Sequence, residues 1–327
     1  MPSYTVSAES FDAIEKEWLD LLPQAANDNF FLLPLWNRLW WQAFGNDKER
    51  LLLAAREGGR LVGIAPLVRD GSQAHLGDTR ILDYADFVVA RGHEAGFYSG
   101  LLDALEARGI TRLSVKSVPS TSPTLNYLIE QARARGYSTV CTEQEDVCPR
   151  IELPASWDDY LALLSKKDRH ELRRKIRNLL DRRQVRWYAL SGLQVQRQDL
   201  EDFLRLFRLS RDEKARFLDP VMEGFFWNMA TAMGQAGYLR LFFMELEGAR
   251  VAATVCFDYG NELLLYNSGF EPAYGRLSVG LLLKAFCLKE AIEAGKKTFD
   301  FLRGSEDYKY NLGGRDTTIH CCTLEKA

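Results

Sequence analysis

RLLLAAREGGRLVGIAPLV, residues 50–68, and RLFFMELEGARVAATVCFD, residues 240–258, align without a gap at an offset of 240 − 50 = 190 residues. Each copy reads as an apolar strand, a Glu-Gly turn (Glu57-Gly58, Glu247-Gly248), an arginine (Arg60, Arg250) and a second apolar strand, so one hairpin is used twice. Further pairs follow: a helix ending at Gly109 leads into ITRLSVKSV, and one ending at Gly295 leads into KKTFDFLRG. Helix-like segments precede both hairpins, SFDAIEKEWLDLL and LWNRLWWQAFG in the first half, DLEDFLRLFRLSRDEKARF and FFWNMATAMGQAG in the second. The shared order of hairpin, strand, helix, strand predicts a duplicated α/β unit of the α+β type, each lobe a mixed, largely antiparallel sheet flanked by helices. A doubly wound parallel sheet would alternate its strands with helices almost throughout.

The chain has 327 residues, 46% hydrophobic and 27% charged, which suits two domains with cores of their own and excludes general disorder. Two prolines in CPRIELP (148–154) interrupt the pattern and place the boundary there, giving lobes 1–147 and 148–327. MPSYTVSAES lacks a basic then apolar leader, and no apolar run approaches the roughly 18 residues of a spanning helix, so we expect a cytoplasmic protein. The net charge of −3 argues against a DNA-binding role. Cys141, Cys148, Cys256, Cys287, Cys321 and Cys322 contain no C-x-x-C and no histidine at ligand spacing, so reduced thiols and no metal are expected. Trp36, Trp40 and Trp41, at i, i+4 and i+5, are read as core.

Between the strand ELLLYNSGF (262–270) and the helix LLLKAFCLKEAIEAG lies the loop EPAYGRLSVG. A glycine-containing loop opening a helix offers free N–H groups and the positive end of the helix dipole to a pyrophosphate. Gly275, Arg276, Ser278, Val279 and Gly280 are the candidate phosphate contacts, Gly280 for close backbone approach and Arg276 for a charge-assisted bond. An ordinary loop with Ser278 as N-cap is the alternative.

In this order of elements the second half resembles the GNAT acyltransferase superfamily, whose loop pattern is Arg or Gln, two residues, Gly, one residue, then Gly or Ala. Here Arg276 stands one position off that pattern. The segment FDFLRGSEDYKYNLGG (299–314), the run Asp83-Tyr84-Ala85-Asp86 and SKKDRHELRRKIRNL (165–179) resemble the CelD-like and FemAB-like branch, in which two GNAT-like lobes share one active cleft. The resemblance implies acyl-CoA as co-substrate in the second lobe, an acceptor side in the first, whose cofactor loop is missing, and an amine acceptor on a cell-envelope precursor, an amino sugar or long-chain amino lipid. It also implies two alternatives, a FemAB-like transferase that uses aminoacyl-tRNA and a non-catalytic scaffold in envelope polysaccharide synthesis.

Acyl transfer to an amine needs the amine neutral, the oxyanion stabilised and the leaving thiolate protonated. Asp300, Glu306 and Asp307 are the nearby carboxylates, Tyr308 or Tyr310 the phenols, and Lys309 a phosphate or substrate contact. Asp300 and Asp86 are the expected catalytic carboxylates, Tyr308 the expected acid, and Tyr310 a substrate contact. The first copy has Ser114 at the position of Asp300. Turn capping by both aspartates and packing by the tyrosines are the alternatives. SKKDRHELRRKIRNLLDRR forms an amphipathic basic helix around Leu172, Ile176, Leu179 and Leu180. Arg169 and Arg173 on it are expected to meet an anionic acceptor or the inner face of a membrane.

Overall fold

The computed structural model describes residues 4–77, 80–181 and 184–326, with side-chain placement left out for 139–143, so Cys141 lies outside the described side chains. In chain order the first half contains β1 (Tyr4–Ala8), α1 (Phe11–Leu21), α2 (Pro34–Phe44), β2 (Glu49–Glu57), β3 (Arg60–Asp70), β4 (Gln73–Leu76), β5 (Val88–Val89), α3 (Glu94–Glu106), β6 (Arg112–Pro119), α4 (Thr124–Ala134) and β7 (Ser138–Glu152). The second half contains α5 (Trp157–Leu163), α6 (Lys166–Leu180), β8 (Val185–Ser191), α7 (Arg197–Ser210), α8 (Asp212–Phe217), α9 (Pro220–Gln235), β9 (Leu239–Leu246), β10 (Ala249–Tyr259), β11 (Glu262–Phe270), α10 (Val279–Glu293), β12 (Thr298–Asp300), α11 (Asp307–Asn311) and β13 (Arg315–Glu325).

Two compact units result, residues 1–147 with 317–327, and residues 148–316. Chain order alone places 317–327 with the second half. The structure moves them because Ile319–Glu325 pair antiparallel with β6 and bury Ile319, Cys322 and Leu324. In the first unit β1, β2, β3 and β4 pair antiparallel in turn, β4 and β6 are parallel, and β6 pairs antiparallel with β13. In the second, β8, β9, β10 and β11 pair antiparallel in turn, β11 and β12 are parallel, and β12 pairs antiparallel with Arg150–Glu152 of β7. The two ladders have the same order and the same sense at every step.

Their register corrects the gapless alignment by one residue. Glu57 pairs with Arg60, so the first turn is Gly58-Gly59, at φ 56° and 86°. Leu246 pairs with Ala249, so the second turn is Glu247-Gly248, at φ 52° and 85°. Two consecutive positive φ values match the right-handed twist of a two-residue hairpin. The structural offset is therefore 249 − 60 = 189, and it recurs at the start of the third strand, 262 − 73 = 189. A β-bulge skips Val62 in one copy and Val251 in the other, the same place at that offset, 251 − 62 = 189. Because side chains alternate faces, the slip of one residue decides which ones point inward. Arg60 corresponds to Ala249, not to Arg250. The pairing of Ser114 with Asp300 survives, since His75 faces Ser114 in β4·β6 and Leu264 faces Asp300 in β11·β12.

The core of the second unit lies between its sheet and α10, whose Leu282, Leu283, Phe286, Cys287 and Leu288 are buried on all sides. Trp187 of β8 stacks on Phe286 at 4.1 Å. In the first unit Trp36 and Trp40 are buried and Trp36 meets Phe30 and Phe31 edge-on. No helix among the described residues is long and apolar enough to cross a membrane.

Candidate functional site

β11 ends at Phe270, a 3-10 turn covers Pro272–Leu277, and α10 starts at Val279. Ser278 is the N-cap in the left-handed region, φ 57°, and its side chain makes no capping bond to the helix. The first intrahelical bond runs from the Leu282 N–H to the Ser278 carbonyl, so the N–H groups of Val279, Gly280 and Leu281 are left to face outward from the helix start. Gly280 sits against Phe270, where an added Cβ would be 3.0 Å from the ring. Arg276 is exposed on the turn.

This helix start forms one wall of a cavity of about 290 Å³. Gly275, Ser278, Val279, Gly280 and Leu281 line it from the turn and α10, Ser268 and Phe270 from β11, Lys175 from α6, and Ser210, Arg211 and Lys214 from the junction of α7 and α8. Lys284, Glu306 and Tyr308 complete it. Lys175 donates to the Ser278 Oγ at 2.9 Å. Lys284 is 7% exposed, donates to the Gly280 carbonyl at 3.1 Å, and lies 4.7 Å from the centre of the Tyr308 ring. Lys214 donates to the Ser268 carbonyl and lies 4.7 Å over the Phe207 ring. Burial, aided by Lys284 and Arg211, pushes the Lys214 ammonium down to about 7. Burial also brings Lys284 down to about 8, Arg211 adding to it while Cys287 and Glu306 oppose it. Burial, with Glu306 adding to it, raises the Tyr308 phenol far above its ordinary range, so it is neutral at physiological pH. Burial would raise the Glu306 carboxyl, but Lys309 outweighs it and holds the group low and ionised.

The expected site residues divide by location. Gly275, Ser278, Val279, Gly280 and Tyr308 come together at this cavity, and Glu306 joins them. Lys309 does not face it as a free cation. Its side chain is 2% exposed and its Nζ donates to the carbonyls of Leu302 (2.8 Å), Arg303 (2.6 Å) and Gly304 (3.0 Å) and pairs with Glu306 at 3.0 Å. Those contacts hold a turn in which Leu302 has φ 57° and Gly304 φ 110°. Asp300 is fully buried and accepts from the Leu302 N–H at 2.7 Å, the turn-capping alternative. Asp86, in the first unit, is 1% exposed and accepts from the Phe87 N–H at 2.8 Å and from the Thr124 hydroxyl. Neither aspartate has a surface open to a substrate amine. Tyr310 donates to Asp316 at 2.8 Å. Arg169 reaches back to the α5 carbonyls of Leu161 and Ala162 at 3.5 and 3.4 Å, while Arg173 is exposed on α6.

Lys175, Arg211, Lys214 and Lys284 were not singled out as site residues from the sequence. Only Lys284 carried a signal, a lone cation inside the apolar run VGLLLKAFCL. Two roomier grooves lack such chemistry. One of about 510 Å³ runs past Leu193, Trp227 and Gln235, and its one charged residue, Arg197, pairs with Glu201 at 2.9 Å. The other, about 780 Å³, surrounds Arg250, which is spent on Asp199 and Asp202 at 2.7 and 2.8 Å. Among the described residues no group of three or more His, Cys, Asp and Glu side chains is placed to hold a metal ion.

Residues 166–310, which span this cavity, match the family model of the acetyltransferase (GNAT) domain. These residues therefore carry a GNAT-type acyltransferase domain. No curated protein sequence matches the chain. Among solved structures, FemX superposes with a TM-score of 0.68 at 12% identity, over 98% of this chain and 96% of that one. The C-terminal domain of a protein described as a lysylphosphatidylglycerol synthetase from Agrobacterium fabrum gives 0.60 at 10% identity, over 97% and 93%. A tandem GNAT protein from the clavulanic acid biosynthesis pathway gives 0.52 at 15% identity, over 99% and 98%. At these identities the likeness is one of fold.

Proposed function

We propose that the protein is an acyl-CoA-dependent N-acyltransferase whose donor binds in the second unit at the start of α10. The observation that carries this reading is one cavity with free N–H groups of a 15-residue helix at one wall and a neutral phenol, Tyr308, at another. The N–H groups of Val279, Gly280 and Leu281, with the positive end of the helix dipole, hold the donor's pyrophosphate, and Lys175 adds charge beside Ser278. Glu306, ionised and 43% exposed, takes the acceptor's ammonium proton directly or through water. The amine nitrogen then bonds to the acyl carbon, the carbon–sulfur bond breaks, and Tyr308 gives its proton to the departing thiolate. Lys309 and Asp300 act as positioning residues that fix the turn carrying Glu306 and Tyr308.

The acceptor side of the reading is an amine of a cell-envelope precursor, an amino sugar or a long-chain amino lipid, used at the cytoplasmic face of the membrane. Support comes from the fold shared with FemX and with the lysylphosphatidylglycerol synthetase domain, and from α6, which exposes Lys166, Lys167, Arg173 and Arg177. That basic face also suits a second reading, an aminoacyl-tRNA donor. Gly280→Val separates the two. The added Cβ would lie 3.0 Å from Phe270 and crowd the helix start, and CoA affinity measured by calorimetry falls at least tenfold while the protein stays folded. Unchanged CoA affinity in the folded variant refutes the α10 site, and tight, salt-sensitive tRNA binding without CoA binding favours the second reading.

A further inference from the structure

Lys214 and Arg211, from the junction of α7 and α8, and Lys284, from α10, line the cavity from two separate places on the chain, and none of them has an ion-pair partner within the described residues. The single carboxylate in the lining, Glu306, is committed to Lys309 at 3.0 Å. Lys175 differs, because it is tied to Ser278 and lies 3.5 Å from Glu171. The two unpaired lysines lie on other parts of the cavity wall than the N–H groups of Val279, Gly280 and Leu281. Lys284, one turn into α10, bonds back to the Gly280 carbonyl, and Lys214 bonds the Ser268 carbonyl of β11. Leaving ammonium groups unpaired in a closed space is costly, and a chain that keeps two there has a ligand charge to meet.

We propose that Lys214 and Lys284, with Arg211 at the rim, form a second anion subsite separate from the α10 helix start, and that it receives a carboxylate or phosphate carried by the transferred acyl group or by the acceptor. The proposal rests on the reading of this cavity as the acyl-transfer site. Both lysines are held partly neutral near physiological pH by their surroundings. For Lys214 burial acts first, aided by Lys284 on α10 and by Arg211; Glu306 opposes them, and the Ser268 carbonyl on β11 and the Phe207 ring on α7 face the same ammonium. For Lys284 burial acts first and Arg211 adds to it, while Cys287, Glu306 and Cys256 oppose it and the Tyr308 ring packs beside the ammonium. An incoming anion favours the charged forms, so its binding takes up protons from solvent, and its affinity declines as pH rises from about 7 to about 9.

The test is calorimetry on the full chain in two buffers of different ionisation heat, with acetyl-CoA, malonyl-CoA, and malonate or inorganic phosphate added to the CoA complex. Malonyl-CoA binding about tenfold or more tighter than acetyl-CoA, with proton uptake, places the anion on the acyl group. Equal affinity for the two thioesters, with malonate or phosphate binding to the CoA complex and proton uptake, places it on the acceptor. In either case Lys214→Met and, separately, Lys284→Gln remove the gain and the uptake. The proposal is overturned if no added anion gains affinity, or if the gain survives both substitutions. It is also overturned if Lys214→Met weakens CoA but not dephospho-CoA, since the cations would then serve the donor's own 3′-phosphate. Failure of CoA itself to bind refutes the α10 reading alone, because malonate and phosphate titrated onto the free protein still decide the subsite.

Discussion

Lys309→Met removes one buried ammonium and keeps a side chain of similar length. Three carbonyls, at 2.8, 2.6 and 3.0 Å, lose their donor, and Glu306 loses its partner at 3.0 Å. Leu302 is 1% exposed, so its carbonyl bears a full desolvation penalty of about 1 to 3 kcal/mol. Arg303 and Gly304 are half-buried, and water recovers part of their loss, leaving about 1 kcal/mol each. Glu306 is 43% exposed and adds little after solvent screening. The sum is about 3 to 5 kcal/mol, concentrated in the turn 302–306. Native-state hydrogen exchange is the assay, because two units need not unfold together and a single global free energy would mix them. The Leu302 amide, bonded to Asp300 at 2.7 Å, should exchange at least a hundredfold faster, and turnover should fall as Glu306 and Tyr308 lose their placement. If that amide keeps its wild-type protection and the second unit loses less than about 1 kcal/mol, the argument for Lys309 as the fastening of this turn is wrong.

Glu306→Gln should lower turnover by about a hundredfold or more with little change in CoA affinity, and stopped-assay rates across pH should lose the dependence attached to that carboxyl. Tyr308→Phe should slow the reaction while sparing CoA binding, the deficit shrinking for thioesters whose thiol leaves more readily; equal deficits for all donors would remove Tyr308 from the proton transfer. Asp86 should be dispensable for chemistry. Burial, opposed by bonds from Ser122, Thr124, Asn27 and Phe87, raises its carboxyl, so the folded state holds this proton more tightly than the unfolded chain does. Its effect on stability is then most favourable below about 3.9 and is lost as pH rises toward the folded value. Asp86→Asn should keep near-wild-type turnover and flatten that part of the melting temperature against pH, whereas a large turnover loss in a folded Asn variant would return Asp86 to the reaction.

The duplication was legible because hairpins declare themselves locally, through period-two apolar runs around a glycine turn. The register was not, since apolar identity aligns Glu57 with Glu247, while the pairing depends on which two residues take positive φ. Residues 317–325 were read with the half they follow in sequence; their partner, β6, is set by pairing across some two hundred residues. At the site, the strand, glycine loop and helix start announced the anion wall. Lys309 looked like a surface cation in a polar run, and only the positive φ of Leu302 reveals why three carbonyls converge on it. Lys214 gave no sign, because its place in the cavity depends on the bend between α7 and α8. Lys284 did, as a charge amid leucines, and a helix buried on all sides was the clue to weigh.

The return of the C-terminal strand to the first unit sets a timetable for synthesis. β6 has its last partner in β13, and 317 − 147 = 170 residues separate the two segments of that unit. At about 5 to 20 residues per second, roughly 9 to 34 s pass after residue 147 is made before the strand that closes the sheet exists. During that interval one side of β6 is an open strand edge, the kind of surface that recruits other chains. The nascent first lobe thus waits for residues made after the whole of the second unit, and a stop codon shortly before residue 317 would spare nearly all of that second unit while leaving the first lobe prone to aggregate.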